Sequence, residues 1–273
     1  MRLSFITPVT LLKQYGEESD FLFVEAAIFL KSQKFRNYVY QWQKAGKDIC
    51  LDNSAFLLEG RSMVLPKYLS VIKAVKPDRI IVPDILQDWR ATVDLARTSI
   101  APIRNVCPNA KLIGVPHGKN ISEWLVCADF LFNDLKCNIL GLTMALPNIN
   151  DLQASEHPDG DFRSTWLDVV FSLWKRSYPT LFDRPIHVLG LQHPCELEHL
   201  RFLQKRVSKL KLNWNDSGIV FQAAAQYQTL SKAPFEKKQT PFFEDLGFWK
   251  DKHGFIRDNI HLIRTMQGSM VAL

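Results

Sequence analysis

Three aspartates and two histidines in this sequence each close a short apolar run. CLDNSAF carries Asp52, IIVPD carries Asp84, LIGVPHG carries His117, HVLGLQHP carries Gln192 and His193, and NWNDSG carries Asp216. Two carboxylates facing one pocket suit glycosidic chemistry. One attacks the sugar C1′ through an oxocarbenium-like transition state, and the other moves a proton to or from the departing or entering group. A second reading stands beside this one. Asp before Asn or Ser is also a turn or capping residue, Asp84 could cap the next helix, and His117 before Gly could sit in a turn. Caps would scatter among Asp, Ser, Thr and Asn, whereas here ionisable groups recur at the run ends.

Other chemistries are poorly supplied. The chain has no HExxH, GxSxG or GxxxxGK[ST] motif. His187, His193 and His199 lack i,i+4 ligand spacing with a carboxylate partner. The first strand has no HxH, which leaves an amidohydrolase-like metal site as the minority reading. The five cysteines are odd in number and form no CxxC. We therefore expect no metal, no disulfide framework and no cofactor, in a reducing, cytoplasmic setting.

The residues need a scaffold that brings run ends together. Strands are expected at Leu3–Thr7, Phe21–Ala27, Ile49–Asp52, Arg79–Pro83, Lys111–Val115, Ile139–Thr143, Ile186–Leu191 and Leu210–Asn215. Helical patterns separate them at Ser32–Ala45, Pro66–Val75, Trp89–Val106, Ser122–Ala128, Phe162–Tyr178 and Pro194–Ser208. Runs such as IIVP, HVLGL and LIGV read as buried on both faces, as parallel strands are. Eight alternations imply an α/β protein, a (β/α)8 TIM barrel, whose active site lies at the C-terminal ends of the strands. The runner-up, a doubly wound sheet, lacks the expected GxGxxG after the first strand. Residues 1–230 are read as the barrel. Residues 231–273, aromatic-rich and without clear period, are read as an extension packed outside it. Asn148–Asp161 reads as a long polar loop.

Composition fits an ordinary globular protein and rules out a disordered chain: 47% of the 273 residues are hydrophobic and 23% charged. No apolar stretch reaches the roughly 20 residues that span a bilayer, and the N-terminus reads as mature sequence. The net charge is +6, and most of the excess lies in residues 184–273, with 13 basic and 8 acidic side chains. Such a footprint suits a polyanion, and equally a solvated surface. Arg201, Lys205 and Lys209 share one helix face, while Lys232, Lys237 and Lys238 follow the last strand. Phosphate contacts from these residues would give salt-sensitive binding without sequence preference. The oligomeric state is left open, a homo-oligomer included.

The succession DNSAF, IIVPD, LIGVPHG, ILGLTMA, HVLGLQHP, NDSG over roughly Phe21–Leu230 resembles the guanine transglycosylase barrel. The tRNA-directed members carry a CxCxxC…H zinc site that this chain lacks. It resembles more the DNA-directed branch of phages and bacterial DNA-modification islands, which exchanges guanine in DNA for a 7-deazaguanine such as 7-cyano-7-deazaguanine. The competing readings are a tRNA-guanine transglycosylase, a related nucleoside glycosylase, and a non-catalytic nucleic-acid-binding barrel.

The resemblance implies roles for single residues. Asp216 matches the nucleophile and Asp52 the general acid/base. Phe56 matches the aromatic that stacks on the base, with Leu189 where a Met covers the other face. Asp84 matches the Asp that reads the guanine N1/N2 edge. Gly141 and Leu142 match the backbone that meets the 7-substituent. His117 stands in place of a Gln, Leu140 in place of a Gly, and Ser54 and Ala55 in place of two Gly; the turn after Asp52 is expected to be less open. The target base must be flipped out or single-stranded to be reached.

Overall fold

The computed structural model describes residues 1–144, 146–147, 166–168, 170, 181, 183–191, 193–207, 210–230 and 242–268. Eight strands form its centre: β1 (Arg2–Phe5), β2 (Leu22–Glu25), β3 (Ile49–Asp52), β4 (Arg79–Ile81), β5 (Lys111–Gly114), β6 (Ile139–Leu142), β7 (Pro185–Val188) and β8 (Lys211–Ser217). All ladders are parallel, and the order β1-β8-β7-β6-β5-β4-β3-β2 wraps into a nearly closed (β/α)8 barrel. At the remaining seam, side chains of β1 and of the segment before β2 substitute for the ladder. Asp20 accepts from Leu3 N–H at 2.7 Å and Ser19 Oγ from Phe5 N–H at 2.9 Å, while Ser4 Oγ accepts from Phe23 N–H at 3.1 Å.

Strand alternation divides the apolar residues into two sets. Phe23, Cys50, Ile81, Ile113, Val115 and Ile139 fill the barrel interior. Val24, Leu51, Ile80, Leu112, Leu140 and Val188 belong to the larger core between strands and helices. The α-helices of seven residues or more among the described residues are α1 (Gln33–Lys44), α2 (Leu65–Val75), α3 (Trp89–Val106), α4 (Ile121–Asp129), α5 (Pro194–Arg206), α6 (Ile219–Ala225) and α7 (His253–Gly268). Local chemistry sets several starts. Ser32, Asp88 and Asn120 accept from the backbone N–H three residues on, at 3.1, 3.0 and 2.9 Å.

Two expectations need correction. β8 extends to Ser217, so Asp216 lies within the strand and not beyond its end. The C-terminal segment, read as lacking a period, contains the helix α7. Its Ile256, Ile260 and Ile263 pack with Leu3, Phe5 and Phe221. Buried Asn259 fastens it, accepting from Leu230 N–H at 2.6 Å and donating to the carbonyls of Gln228 and Val220 at 3.1 and 3.3 Å. The loop expected at Asn148–Asp161, and all but four residues of the helix expected at Phe162–Tyr178, lie outside the described residues. Among those described, no helix is long and apolar enough to cross a membrane.

Candidate active site

A cavity of about 560 Å³ opens at the C-terminal ends of the strands. Alternation sends Glu25, Asp52 and Asp216 into it from β2, β3 and β8, and Asp84 enters it from the loop after β4. Phe23, Ile81 and Val115 form its apolar floor, and Phe56, Leu86, Met144, Leu189 and Phe242 line its wall. Phe56 is 66% exposed. An aromatic face so open at a cavity mouth is free to stack on a planar ligand.

Asp216 is held by two donors. Gly190 N–H donates to Oδ2 at 3.1 Å and His187 Nε2 lies 3.0 Å from Oδ1. On the far side of the ring, His187 Nδ1 meets the Cys50 sulfur at 3.9 Å. Burial pushes the Cys50 thiol up, so its proton stays in place. Burial also lowers the pKa of His187, against the pull of Asp216, and keeps the ring neutral. A thiol donating to Nδ1 fixes the Nε2–H tautomer, which donates to Asp216. The relay runs Cys50 to His187 to Asp216, from β3 to β7 to β8. Local spacing offers His187 no carboxylate partner; Asp216, its partner, lies on the adjacent strand.

Asp84 is also fixed from behind. Asn53 Nδ2 donates to Oδ1 at 2.5 Å and His117 Nε2 lies 2.6 Å from Oδ2. His117 Nδ1 accepts from Gln87 N–H at 3.3 Å, so Nε2 carries the proton that Asp84 accepts. His117 is fully buried and is not among the residues lining the cavity. Standing where the family has a Gln, it holds Asp84 in place from behind.

Asp52 makes the turn that the sequence allowed and also lines the cavity. Its Oδ2 accepts from Ser54 N–H at 2.6 Å, an Asx-type turn, and it faces the cavity. Asp84 and Asp216 do not cap: Asp88 starts α3, and Ser217 Oγ accepts from Ile219 N–H at 3.1 Å at the start of α6. Ser54 sits at φ +62°, the left-handed region where the resemblance placed a glycine. Its hydroxyl accepts from Ala27 N–H at 2.9 Å and donates to Glu25 Oε2 at 3.1 Å, contacts a glycine would not make.

Glu25 was missed in the sequence, where VEAAIF reads as one apolar run. Register pairs it with Asp52 across β2 and β3, and both carboxyls face the cavity. Withdrawal from water raises Asp52 well above the usual carboxylate range, and the Glu25 charge adds to this. Withdrawal from water raises Glu25 too, with its hydrogen bonds to Asp52 and Ser54 pulling back and the Asp216 charge pushing up. Unfolded Asp titrates near 3.8. A carboxyl with a raised folded pKa leaves stability intact below that value and erodes it as pH rises toward the folded pKa. Asp52→Asn is therefore expected to raise the melting temperature at neutral pH and to lose this advantage in acid. Melts across pH check it; an Asn variant no more stable than the parent at neutral pH counts against the pair.

The remaining expected residues separate from this group. Gly141 faces the interior, where a Cβ would lie 2.7 Å from Val115 Cγ2. Leu142 belongs to the outer core and its carbonyl accepts from Leu189 N–H at 2.9 Å. Neither lines the cavity, whose wall after β6 is Thr143 and Met144. Arg201 donates to the carbonyl of Met266 on α7. It and Lys205 lie seven and eleven residues into α5, roughly 10 and 16 Å below its start at the cavity end. Gln192, Lys232, Lys237 and Lys238 lie outside the described residues. No group of three His, Cys, Asp or Glu side chains among the described residues is arranged to hold a metal ion.

The chain matches no protein-family model and no curated protein.

Proposed function

We propose that this barrel is a base-exchange transglycosylase that replaces guanine in DNA by a 7-deazaguanine through a covalent Asp216 intermediate. The observation that carries the reading is the division of labour within one cavity. Asp216 is aimed by two donors, while Asp52 is driven toward its protonated form. A carboxylate aimed by two donors and a carboxyl withdrawn from water supply a nucleophile and an acid side by side. Asp216 Oδ attacks C1′ as the C1′–N9 bond breaks, and the bonding pair leaves on the purine with a proton from the Asp52 side. The incoming base then displaces Asp216 and returns its N9 proton to Asp52. Phe56 and Leu189 form the two walls between which the base stacks. The depth of the carboxylates requires a flipped or single-stranded target.

The resemblance of the run-end motifs to the guanine transglycosylases supports the choice of base. Asp84, with its inward orientation fixed by Asn53 and His117, retains lone pairs to accept from guanine N1–H and the 2-amino group. Asp84→Ala is expected to weaken guanine binding by about 1–3 kcal/mol by leaving those donors unpaired. Competition between guanine and adenine measures it; equal exchange of both bases by the parent protein overturns the assignment. The reading as a whole is tested by incubating the protein with duplex DNA, single-stranded DNA or tRNA and 7-cyano-7-deazaguanine. Digestion to nucleosides and mass spectrometry then reveals the inserted base. The modified nucleoside is expected from DNA; its absence from every substrate refutes the reading, and its appearance from tRNA alone moves the activity to RNA.

A further inference from the structure

We infer that Glu25 is a positioning residue that shares a single proton with Asp52, and that this shared proton is the one cycled between the departing and the entering base. The proton's destination rests on the transglycosylase reading; its presence does not. The argument begins with geometry. β2 and β3 place the two carboxyls side by side in register, both facing the cavity. Ser54 clasps them, its N–H on Asp52 Oδ2 at 2.6 Å and its hydroxyl on Glu25 Oε2 at 3.1 Å. Holding a non-glycine residue at φ +62° has a cost, and the bridging hydroxyl is what the chain gains by it.

Among the described residues, no Lys or Arg side chain hydrogen-bonds either carboxyl. The titratable groups facing the pair are Asp84 backed by His117, Asp216 backed by neutral His187 and the Cys50 thiol, and the Tyr68 hydroxyl behind β3. Tyr68 donates to the carbonyl of Ile81 at 2.8 Å and offers the pair no proton. Two adjacent carboxyls without a counter-ion cannot both ionise at modest cost, so one proton stays between them and titrates as a property of the pair.

The charge balance makes this arrangement useful. The exchange takes Asp216 as the attacking carboxylate, beside a pair that carries one negative charge and one proton. When Asp216 forms its bond to C1′ it becomes a neutral ester. The departing purine takes the bonding pair of the C1′–N9 bond and the shared proton, and leaves neutral. The pair is then doubly negative and the total charge is unchanged. Asp216 raises the proton affinity of Glu25 through its charge. Esterification removes that charge at the step in which the pair must release its proton. The doubly negative pair is then a strong base for the N9 proton of the incoming 7-deazaguanine, whose nitrogen attacks C1′ and releases the Asp216 carboxylate.

Infrared spectroscopy of the whole protein tests the shared proton without turnover. The parent is expected to show a protonated-carboxyl stretch, shifted in heavy water, that persists at neutral pH. Glu25→Gln and Asp52→Asn, both near-isosteric, are each expected to lose it at neutral pH, because the remaining acid then faces an amide donor and not a second charge. A parent without the band at neutral pH, or a band that both substitutions leave in place, overturns the inference. A parent that has the band, and variants that lose it, with no base exchange, supports the shared proton and overturns the transglycosylase reading instead.

Discussion

Asp216→Asn should form no covalent protein–DNA adduct and exchange no base, while Asp52→Asn should retain slow exchange. The difference follows from the environments of the two side chains. Asn at 216 fits the same space, and the hydrogen bonds around it can rearrange. If the His187 proton moves to Nδ1, facing the Cys50 sulfur, Nε2 accepts from the new amide while Gly190 N–H still meets its oxygen. The fold and much of the DNA affinity should survive, because phosphate contacts dominate affinity. What disappears is the carboxylate that the proposed exchange needs as its nucleophile. Asp52→Asn removes proton transfer, a contribution of about 10²–10⁴-fold in rate. Denaturing gels with a guanine-containing oligonucleotide, run on the parent and both variants, show the contrast. An adduct and normal exchange in Asp216→Asn would place the nucleophile elsewhere and remove β8 from the chemistry.

The parts of this site that the sequence made legible are those set by chain geometry. A buried run followed by an ionisable residue marks the C-terminal end of a barrel strand, so Asp52, Asp84 and Asp216 could be placed at one mouth before any coordinates. Their supporting residues could not. Glu25 hides in an apolar run because its polar neighbours, Ser54 and Asp52, come from the next strand and its loop. His187 and Cys50 carry no local signature, since their contacts cross the barrel. His117 was legible as a strand-end residue, yet its direction, toward Asp84 and Gln87 and away from the cavity, depends on packing. The helix α7 had a signal in Ile256, Ile260 and Ile263, spaced four and three apart. The irregular aromatic stretch before it diluted that period in any longer window.

Asp48→Ala should lower folding stability by about 3–5 kcal/mol, the cost of leaving a buried charge without its partner. The cation is Arg79, 2% exposed at the opposite end of the barrel from the cavity. Its guanidinium lies 4.5 Å from the ring centres of both Phe21 and Trp214, and Nη2 donates to Asp48 Oδ2 at 2.9 Å. Asp48 is the one carboxylate among the described residues that pairs with it. This layer supports the next. His187 meets Phe21 edge-on at 5.6 Å and lies 6.3 Å from Trp214, and on His187 rests Asp216. Arg79→Met should cost less than Asp48→Ala, because an apolar chain of similar length fills the space between the two rings and leaves Asp48, partly exposed, paired with Arg2. Denaturant midpoints of the two variants decide the matter. If Asp48→Ala is no less stable than Arg79→Met, Arg79 is compensated by something other than Asp48, and the floor beneath His187 is not held by that ion pair.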